Sequence, residues 1–253
     1  MVNTVVQVGQ VLAPLPLDPA PAVWCIGLNY MKHWEEGAKK RGTPLPKIPS
    51  SFMKPPSAIS GPGQPIWIPN AGDENDRFSL GGGRGLNTHV DYEAELAIIV
   101  GKACRNISES EVLTGGYILG YTAANDVSQR YWQRNSGGDQ WGRGKSLDTF
   151  CPLGPCLLLA GENSPDLEIR TLVNDEVRQH SRTSDMIFDV SAVVSWLSRA
   201  TTLVPGTVIL TGTPSGVGYA REGGPVWLEQ GDQVQVCLQD IGCLTSNVCQ
   251  EPS

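Results

Sequence analysis

The sequence predicts a strand-dominated α+β domain without the regular alternation of strands and helices that defines a doubly wound fold. Three observations lead to this prediction. Glycine and proline are abundant, at 29 and 19 of 253 residues, and both residue types mark tight turns. The apolar runs are short and end at these turn residues, which favours short strands. Long apolar stripes with helical spacing are scarce.

The N-terminal third predicts an arm, a strand, a short helix and a loop. Residues 1–22 are apolar and contain prolines, so we expect an extended arm or edge strand ahead of a domain over residues 23–250. Residues 23–27 predict a short strand, and a short helix is expected over residues 33–40 before Gly42 and its prolines. Residues 69–88 are polar and glycine-rich, which predicts a long mobile loop.

The middle of the chain contains the clearest strand signal. From Leu96 to Val100 the sequence is continuously apolar with β-branched residues and stops at a glycine, which is typical of a buried strand. Ser108 and Glu111 have the spacing of a helix capping box. Residues 116–124 predict a strand that leads into Asn125-Asp126, and residues 127–134 predict a helix.

The C-terminal part repeats the pattern of short strands. Apolar positions 190, 193, 194 and 197 form a helical stripe over residues 188–199. Asn174-Asp-Glu predicts a hairpin turn between two strands. The expected strands are residues 157–160, 167–172, 207–211 and 233–238.

Composition argues against several functional classes. The net charge of −7 argues against a general surface for nucleic acid or anionic membranes, although a small anionic substrate remains possible beside a local cation. No apolar run approaches the ~20 residues that a membrane-spanning helix needs. The seven cysteines are an odd number without a C-x-x-C pair, and the N-terminus lacks a secretory pattern. We therefore expect reduced thiols in a cytoplasmic protein.

Glu93 and Glu95 are the first candidates for chemistry. Side chains two apart on a strand point to the same face, so the two carboxylates are adjacent, with Ala97 and Ile99 continuing their face into the core. Two carboxylates on an apolar floor are unfavourable unless a cation joins them or one is protonated. A hard divalent cation such as Mg²⁺ satisfies this requirement. The alternative is a hydrated strand end.

Asp126 is a candidate third oxygen ligand, because it follows an apolar strand. If residues 126–133 are helical, Arg130 and Gln133 lie on the same face as Asp126. A guanidinium and an amide beside an acid suit a carboxylate substrate. The alternative is that Asp126 is a plain helix N-cap.

His33 and Glu36 have the i, i+3 spacing that brings two side chains together on a helix, whereas Glu35 points to another face. A carboxylate bound to one ring nitrogen fixes the histidine tautomer and makes the other nitrogen a better base. The alternative is a surface contact without function.

Two glycine-rich turns complete the candidates. Gly142-Arg-Gly-Lys-Ser146 lacks the first glycine of a phosphate loop at the required place, so that interpretation is rejected and Lys145 remains a lone lysine, usually solvated unless the acids converge near it. Residues 211–218 follow an apolar strand and form either an oxyanion-binding nest or a simple turn.

Seven motifs occur in an order that resembles the fumarylacetoacetate hydrolase family, over about residues 23–248. The chain is similar to the small single-domain members of that family. The motifs are Gly27-x-Asn-Tyr-x-x-His33-x-x-Glu36, Phe52-x-Lys-Pro, Tyr92-Glu-x-Glu-Leu, Gly120-Tyr-Thr-x-x-Asn-Asp-Val-Ser-x-Arg-x-x-Gln133, Gly144-Lys-Ser-x-Asp-Thr-Phe-Cys-Pro-Leu-Gly-Pro155, Ser184-x-Met-Ile-Phe188 and Thr211-Gly-Thr-Pro-x-Gly-Val-Gly218.

The resemblance implies a mixed β-roll or β-sandwich fold with short peripheral helices, and a homodimer. It implies that Mg²⁺, or Mn²⁺ or Ca²⁺, is bound by three acids, that a water-activating dyad lies on a lid, and that a lysine completes the catalytic set. The implied metal ligands are Glu93, Glu95 and Asp126. The implied catalytic residues are His33, Glu36 and Lys145. The implied substrate-binding residues are Tyr30, Lys54, Arg130, Gln133 and Thr213.

The expected reaction follows from this set of residues. A small anionic 2-oxo acid is the expected substrate, and hydrolytic cleavage of a C–C bond by a His33-activated water is the expected chemistry. Decarboxylation of an oxaloacetate-type acid and keto–enol tautomerisation or isomerisation are the alternatives, because they use the same electron sink. A binding protein without catalytic activity is the alternative from a different class.

Overall fold

In a computed structural model, the described residues are 13, 22–70, 89–135 and 140–252. Strands dominate this part of the chain and helices are short, as the sequence predicts. Most of the expected arm and most of the expected mobile loop lie outside the described residues. The strands are β1 Val23–Gly27, β2 Ser50–Lys54, β3 Ile59–Ser60, β4 Ile66–Ile68, β5 Val90–Asp91, β6 Ala94–Val100, β7 Ile118–Asn125, β8 Ser128–Gln129, β9 Cys151–Leu159, β10 Glu168–Val173, β11 Glu176–Arg182, β12 Val208–Leu210, β13 Gln233–Leu238 and β14 Gly242–Gln250.

The helices lie at the periphery. None of those in the described ranges combines the length and hydrophobicity that a bilayer span requires. After α1, the chain continues as a π-helical turn over Trp34–Ala38 and a 3₁₀ turn over Lys39–Arg41. The helices are α1 Met31–His33, α2 Glu109–Thr114, α3 Arg130–Asn135, α4 Gly142–Lys145 and α5 Val190–Ser198.

A curled, mixed seven-stranded sheet forms the centre of the domain, in the order β2-β1-β12-β6-β7-β9-β3. The β1–β12 and β3–β9 pairs are parallel, and the other neighbours are antiparallel. A second sheet has the order β11-β10-β13-β14-β4, and β5 pairs with β8. The predicted α+β fold class is therefore confirmed.

Strand β6 is buried on both faces. Leu96 and Ile98 pack into the largest core cluster, together with residues of β10, β13 and α5. Ala97 and Ile99 pack on the opposite face, against residues of β1, β9 and β12. Burial on both faces explains why this segment is continuously apolar in sequence. It also means that every charged group on this strand lies within the protein interior.

Several local predictions are confirmed. The capping box at Ser108 is present, with Glu111 accepting a hydrogen bond from the Ser108 backbone N–H at 2.8 Å. Asn174 and Asp175, both with positive φ, form the tight turn between β10 and β11. The helical stripe forms α5, whose N-cap is Asp189.

The predicted helix over residues 127–134 is partly wrong. Ser128 and Gln129 instead form β8 and pair with Val90 and Asp91 of β5. The helix begins only at Arg130. Asp126 is therefore not a helix N-cap, and the i, i+4 geometry proposed for Asp126 and Arg130 does not occur.

The expectation that all cysteines are reduced is also wrong in this structure. Cys237 and Cys243 form a disulfide bond across the β13–β14 hairpin, where the two residues are directly opposite in the register. Their sequence positions alone do not reveal this pairing, because it depends on where the hairpin turns. Cys25, Cys104, Cys151, Cys156 and Cys249 are free thiols.

Candidate active site

Three carboxylates from two adjacent strands converge at the edge of the central sheet. Glu95 lies in β6, Glu93 directly precedes that strand, and Asp126 directly follows β7. The β6–β7 register pairs Ala94 with Asn125, and the Asp126 N–H donates to the Glu93 carbonyl at 2.8 Å. One oxygen from each of the three carboxylates lies within 4.8 Å of the others. The structure thus brings together all three predicted metal ligands.

The triad belongs to a single cluster that contains all the buried charged side chains of the described ranges. Burying a charge is costly unless an opposite charge and hydrogen bonds compensate it. The cluster has four carboxylates and three cations, so it has one excess negative charge when all seven groups are ionised. Its members are Asp91, Glu93, Glu95, Asp126, Lys54, Arg130 and Lys145.

Asp126 lies between two lysines. Lys145 Nζ is 2.7 Å from its Oδ2, and Lys54 Nζ is 2.7 Å from its Oδ1. The Lys54 ammonium, however, donates to the backbone carbonyls of Val127, Lys145 and Phe150 at 3.1, 2.5 and 2.8 Å. Because these carbonyls use its three protons, Asp126 Oδ1 accepts no hydrogen bond among the described residues. This oxygen retains lone pairs for a further positive ligand.

Glu93 is the best-compensated acid of the triad. Lys145 Nζ lies 2.7 Å from one carboxylate oxygen and Arg130 Nη1 lies 2.6 Å from the other. Burial alone would raise the pKa of Glu93, but Lys145, Arg130 and His33 together lower it to about 2. Glu93 is therefore a carboxylate throughout the neutral range.

Glu95 carries the excess charge. Its carboxylate accepts a hydrogen bond from the Gly212 N–H at 2.6 Å, but no lysine or arginine in the described part of the chain forms an ion pair with it. Burial and the neighbouring Asp126 and Glu93 carboxylates raise the pKa of Glu95 well above its usual value. A cation bound between these acids would remove that penalty.

The residues present fit a divalent metal ion. The donor set consists of three buried carboxylates, which are the ligands that Mg²⁺, Mn²⁺ and Ca²⁺ prefer. The uncompensated Glu95 requires positive charge at this place, and Asp126 Oδ1, which has the Lys54 ammonium 2.7 Å away but accepts no hydrogen bond among the described residues, retains lone pairs for a ligand. The alternative of a hydrated strand end is excluded, because the three side chains are buried.

Lys145 lies at the end of α4 and contacts both Glu93 and Asp126. Its environment keeps it charged: burial lowers the pKa of Lys145, but Asp126 and Glu93 outweigh this effect and raise the pKa above its usual value. The residue before it must be glycine, because a Cβ at Gly144 would lie 2.5 Å from the Gln133 backbone nitrogen. This close approach of α4 to α3 places the Lys145 ammonium beside the acids.

Arg130 is held by Asp91, a residue that the sequence analysis did not assign to the site. Its Nε and Nη2 both lie 2.8 Å from Asp91 Oδ2, and its Nη1 also donates to Gln133 Oε1 at 3.1 Å. Asp91 additionally accepts hydrogen bonds from the backbone N–H groups of Gly218 and Tyr219. The available signal was an acid two residues before Glu93 in a segment that is otherwise buried.

His33 and Glu36 meet as predicted, with His33 Nδ1 2.7 Å from Glu36 Oε1. Glu36 Oε2 also accepts a hydrogen bond from the Gly216 N–H at 3.0 Å. This bond joins the helical segment over residues 31–41 to the loop after β12. An ionised carboxylate only accepts hydrogen bonds, so this contact places the proton on Nδ1 and leaves Nε2 as the base. Glu35 points elsewhere and pairs with Lys39 at 3.2 Å.

The remaining predicted substrate contacts divide into two groups. Gln133 and Thr213 line a cavity of about 160 Å³ above the acids, and Thr213 Oγ1 accepts a hydrogen bond from Gln179. Tyr30 and Lys54 are buried and do not line this cavity. Other lining groups are the triad, Lys145, Arg130, His33, Glu36, Arg41, Phe52, Arg134, Trp141 and Tyr219.

The fold and the site together define a class of protein: an α+β domain whose buried carboxylate triad lines a cavity and has a donor set that fits a divalent metal. The chain belongs to the fumarylacetoacetate hydrolase family. Residues 22–249 match the family pattern described as the C-terminal part of fumarylacetoacetate hydrolase.

Individual relatives within this family carry names that describe an activity. The chain is 40% identical over 235 residues to a mitochondrial oxaloacetate tautomerase of Xenopus laevis, covering 92% of this chain and 67% of the relative. It is 41% identical to 5-carboxymethyl-2-hydroxymuconate delta-isomerase from Mycobacterium smegmatis, with a TM-score of 0.75 and coverage of 96% and 83% of the two chains. It is 40% identical to 2-hydroxyhepta-2,4-diene-1,7-dioate isomerase from Mycobacterium marinum, with a TM-score of 0.73 and coverage of 96% and 78%.

Proposed function

We propose that the protein is a divalent-metal-dependent keto–enol tautomerase or isomerase of small anionic 2-oxo acids, with oxaloacetate as the first candidate substrate. One structural observation supports the proposal most directly: a triad with one uncompensated buried carboxylate lies in the same cavity as His33 and Glu36. The relatives named above are an oxaloacetate tautomerase and two isomerases, which supports a tautomerisation or isomerisation in this protein.

A divalent cation held by Glu93, Glu95 and Asp126 would supply Lewis acidity toward the carboxylate and 2-oxo oxygens of the substrate. The protein's own residues supply the remaining charge and the proton transfer. Lys145 places a permanent positive charge beside the oxygen on which negative charge develops when a proton leaves the adjacent carbon. Arg130, fixed by Asp91, adds a second positive charge at the same wall of the cavity.

His33 is the group that moves the proton. With Nδ1 bonded to Glu36, its Nε2 can accept a proton from the substrate carbon and return it to the oxygen or to another carbon. The anchor between Glu36 and the Gly216 N–H holds the imidazole against the cavity. The proton that His33 removes returns to the substrate, so the reaction consumes no water and forms no covalent bond to the protein.

Hydrolytic C–C cleavage, the reaction favoured by the sequence analysis, is the second candidate. The His33–Glu36 dyad favours it, since the same geometry would activate a water molecule. The named relatives support the tautomerase or isomerase alternative more strongly. Decarboxylation uses the same electron sink and needs no attacking water.

The test follows the ultraviolet absorbance of the oxaloacetate enol during its conversion to the keto form, with and without Mg²⁺, and identifies products by mass. We expect Mg²⁺-dependent acceleration of tautomerisation that is lost in Glu95→Gln. Acceleration that persists in a chelator would reject the metal dependence, and products that show only loss of CO₂ from oxaloacetate would reject the tautomerase. A homodimer and a cytoplasmic location stay predictions, and size-exclusion chromatography with light scattering would test the former.

A further inference from the structure

Lysine and arginine side chains line the cavity at two places, and in the part of the chain that the structure describes only those beside the carboxylate triad form ion pairs with acids. Lys145 pairs with Glu93 and Asp126, and Arg130 pairs with Asp91 and Glu93. The guanidinium of Arg130 directs its Nε and Nη2 at Asp91 and its Nη1 at Glu93 and Gln133. Arg130 is therefore held at the inner end of the cavity by two carboxylates, and its Nη2 is the guanidinium nitrogen that makes no hydrogen bond among the described residues.

Arg134 is a second arginine on the same helix, and it is fixed by an aromatic ring instead of an acid. Its guanidinium carbon lies 3.7 Å from the centre of the Tyr219 ring, and its Nη1 donates to the Tyr219 hydroxyl. The backbone N–H of Tyr219 is itself bound by Asp91. Stacking orients the planar guanidinium and leaves its other N–H groups available to a ligand in the cavity.

Arg41 lines the same cavity from a different element, at the end of the helical segment over residues 31–41 that contains His33 and Glu36. Its Nη1 lies 3.4 Å from the place where a Cβ at Gly37 would be, so this arginine lies against a glycine that also lines the cavity. Within the described ranges, neither Arg41 nor Arg134 forms an ion pair with a carboxylate.

We infer that Arg41 and Arg134 form a second anion subsite, which selects 2-oxo acids that carry a distal carboxylate. The inference rests on the proposed function, because the inner site must hold the 2-oxo acid end. Two guanidiniums on separate elements line a single cavity, and neither is paired with the carboxylates that line it, which are Glu93, Glu95 and Asp126 of the triad and Glu36 beside His33. Two solvated surface arginines would be the ordinary alternative, and it predicts no preference between ligands.

The test compares matched ligands that differ only at their far end. The probes are 2-oxoglutarate against 2-oxopentanoate, and 2-oxoadipate against 2-oxohexanoate, so that two chain lengths are sampled. Affinities are measured by calorimetry in Mg²⁺ with the full chain. We expect the wild type to bind the dicarboxylate of at least one pair about tenfold more tightly, as charge-assisted hydrogen bonds at a partly exposed site provide.

The variants assign the preference to the two arginines. Arg134→Gln and Arg41→Gln should each reduce the ratio of dicarboxylate to monocarboxylate affinity severalfold, and the double variant should bring it close to one. Arg143→Gln is the matched control, because Arg143 also stacks on an aromatic ring, 4.0 Å from the centre of Trp132, but does not line the cavity. This control should retain the wild-type ratio, and added NaCl should lower that ratio in the wild type.

The two hypotheses fail in different ways. If the monocarboxylates bind in a Mg²⁺-dependent manner but the wild type shows no dicarboxylate preference at either length, the second subsite is rejected and the inner site stands. The same conclusion follows if the preference survives in a folded double variant. If no 2-oxo acid binds with Mg²⁺, the proposed function is rejected and the subsite with it.

Discussion

The Glu36 carboxylate accepts hydrogen bonds from two partners that are far apart in the chain: the His33 ring at 2.7 Å and the Gly216 N–H at 3.0 Å. The second bond joins the segment after β1 to the loop after β12. Glu36 therefore orients His33 and also fixes the position of the helical segment that carries both residues. The proposed base is thus held in place by the acid next to it.

Removal of the Glu36 carboxylate should lower the rate of proton transfer without removing the metal site. We expect Glu36→Gln to reduce kcat about 10- to 100-fold, within the range usual for general base catalysis, because the His33 tautomer is no longer fixed. Mn²⁺ affinity should remain within a few-fold of the wild type, since Glu36 does not contact the triad. Glu35→Gln is the control, and its kcat should be unchanged, because Glu35 pairs with the exposed Lys39 and does not line the cavity.

The position of Lys145 depends on the absence of a side chain at Gly144. A Cβ there would lie 2.5 Å from the Gln133 nitrogen and 2.7 Å from the Gln129 carbonyl oxygen, both backbone atoms that cannot move aside alone. We expect Gly144→Ala to displace α4, lower kcat at least tenfold, and lower the melting temperature. Gly142→Ala serves as the control, because its nearest neighbour would be the Met53 carbonyl at 3.9 Å. Equal activity of the two variants would reject this account of α4.

Asp91 is expected to be a structural requirement of the site. Its replacement by asparagine leaves the buried Arg130 without its main partner and weakens the bonds to Gly218 and Tyr219. We expect a loss of about 3–5 kcal/mol in the free energy of unfolding, typical of breaking a buried ion pair. The exposed Arg182–Asp166 pair is the comparison, and Asp166→Asn should change the free energy of unfolding far less than Asp91→Asn, because solvent screens an exposed ion pair. Denaturant unfolding of both variants would measure the difference.

The stability of the metal-free protein should depend on pH through Glu95. Burial, Asp126 and Glu93 raise the pKa of this carboxyl in the folded state. A group with a raised folded-state pKa contributes its full stability below its unfolded pKa, which is about 4.3, and loses that contribution as the pH rises through the folded value. In a chelator, the wild type should therefore lose stability relative to Glu95→Gln as the pH increases from 4 towards 8.

Divalent metal should reverse this difference. Binding to the folded state alone stabilises by about 2.7 kcal/mol at a ligand concentration of 100 times Kd. We expect Mg²⁺ to raise the melting temperature of the wild type at pH 8 clearly more than that of Glu95→Gln, which should bind the ion at least tenfold more weakly. Parallel pH profiles of the two proteins in a chelator would contradict the assignment of the excess charge to Glu95.

Parts of this site were predictable because they follow from local regularities. Strand alternation places Glu95 on the face of Ala97 and Ile99, and helical spacing brings His33 to Glu36. The convergence of Asp126 with the two glutamates followed from the family resemblance and from its place after a strand. The first two relationships join neighbours in sequence, whereas the third joins two separate motifs and was predicted only because the family resemblance contains both.

The remaining features depend on contacts between distant segments. Residues 128–129 form a strand because they meet residues 90–91 about forty positions earlier, and no local pattern shows that pairing. Lys54 contacts the carbonyls of Val127 and Phe150, which places it beneath Asp126 instead of in the cavity. The central role of Asp91 likewise comes from a loop more than one hundred residues away.

Titration of the purified protein with Mn²⁺, followed by the electron paramagnetic resonance signal of the free ion, tests the central claim most directly. The buried triad predicts one bound ion per chain in the wild type, and a loss of at least tenfold in affinity in each of Glu95→Gln and Asp126→Asn. No bound Mn²⁺ in the wild type, or binding that both variants retain unchanged, would contradict the assignment of the metal to Glu93, Glu95 and Asp126.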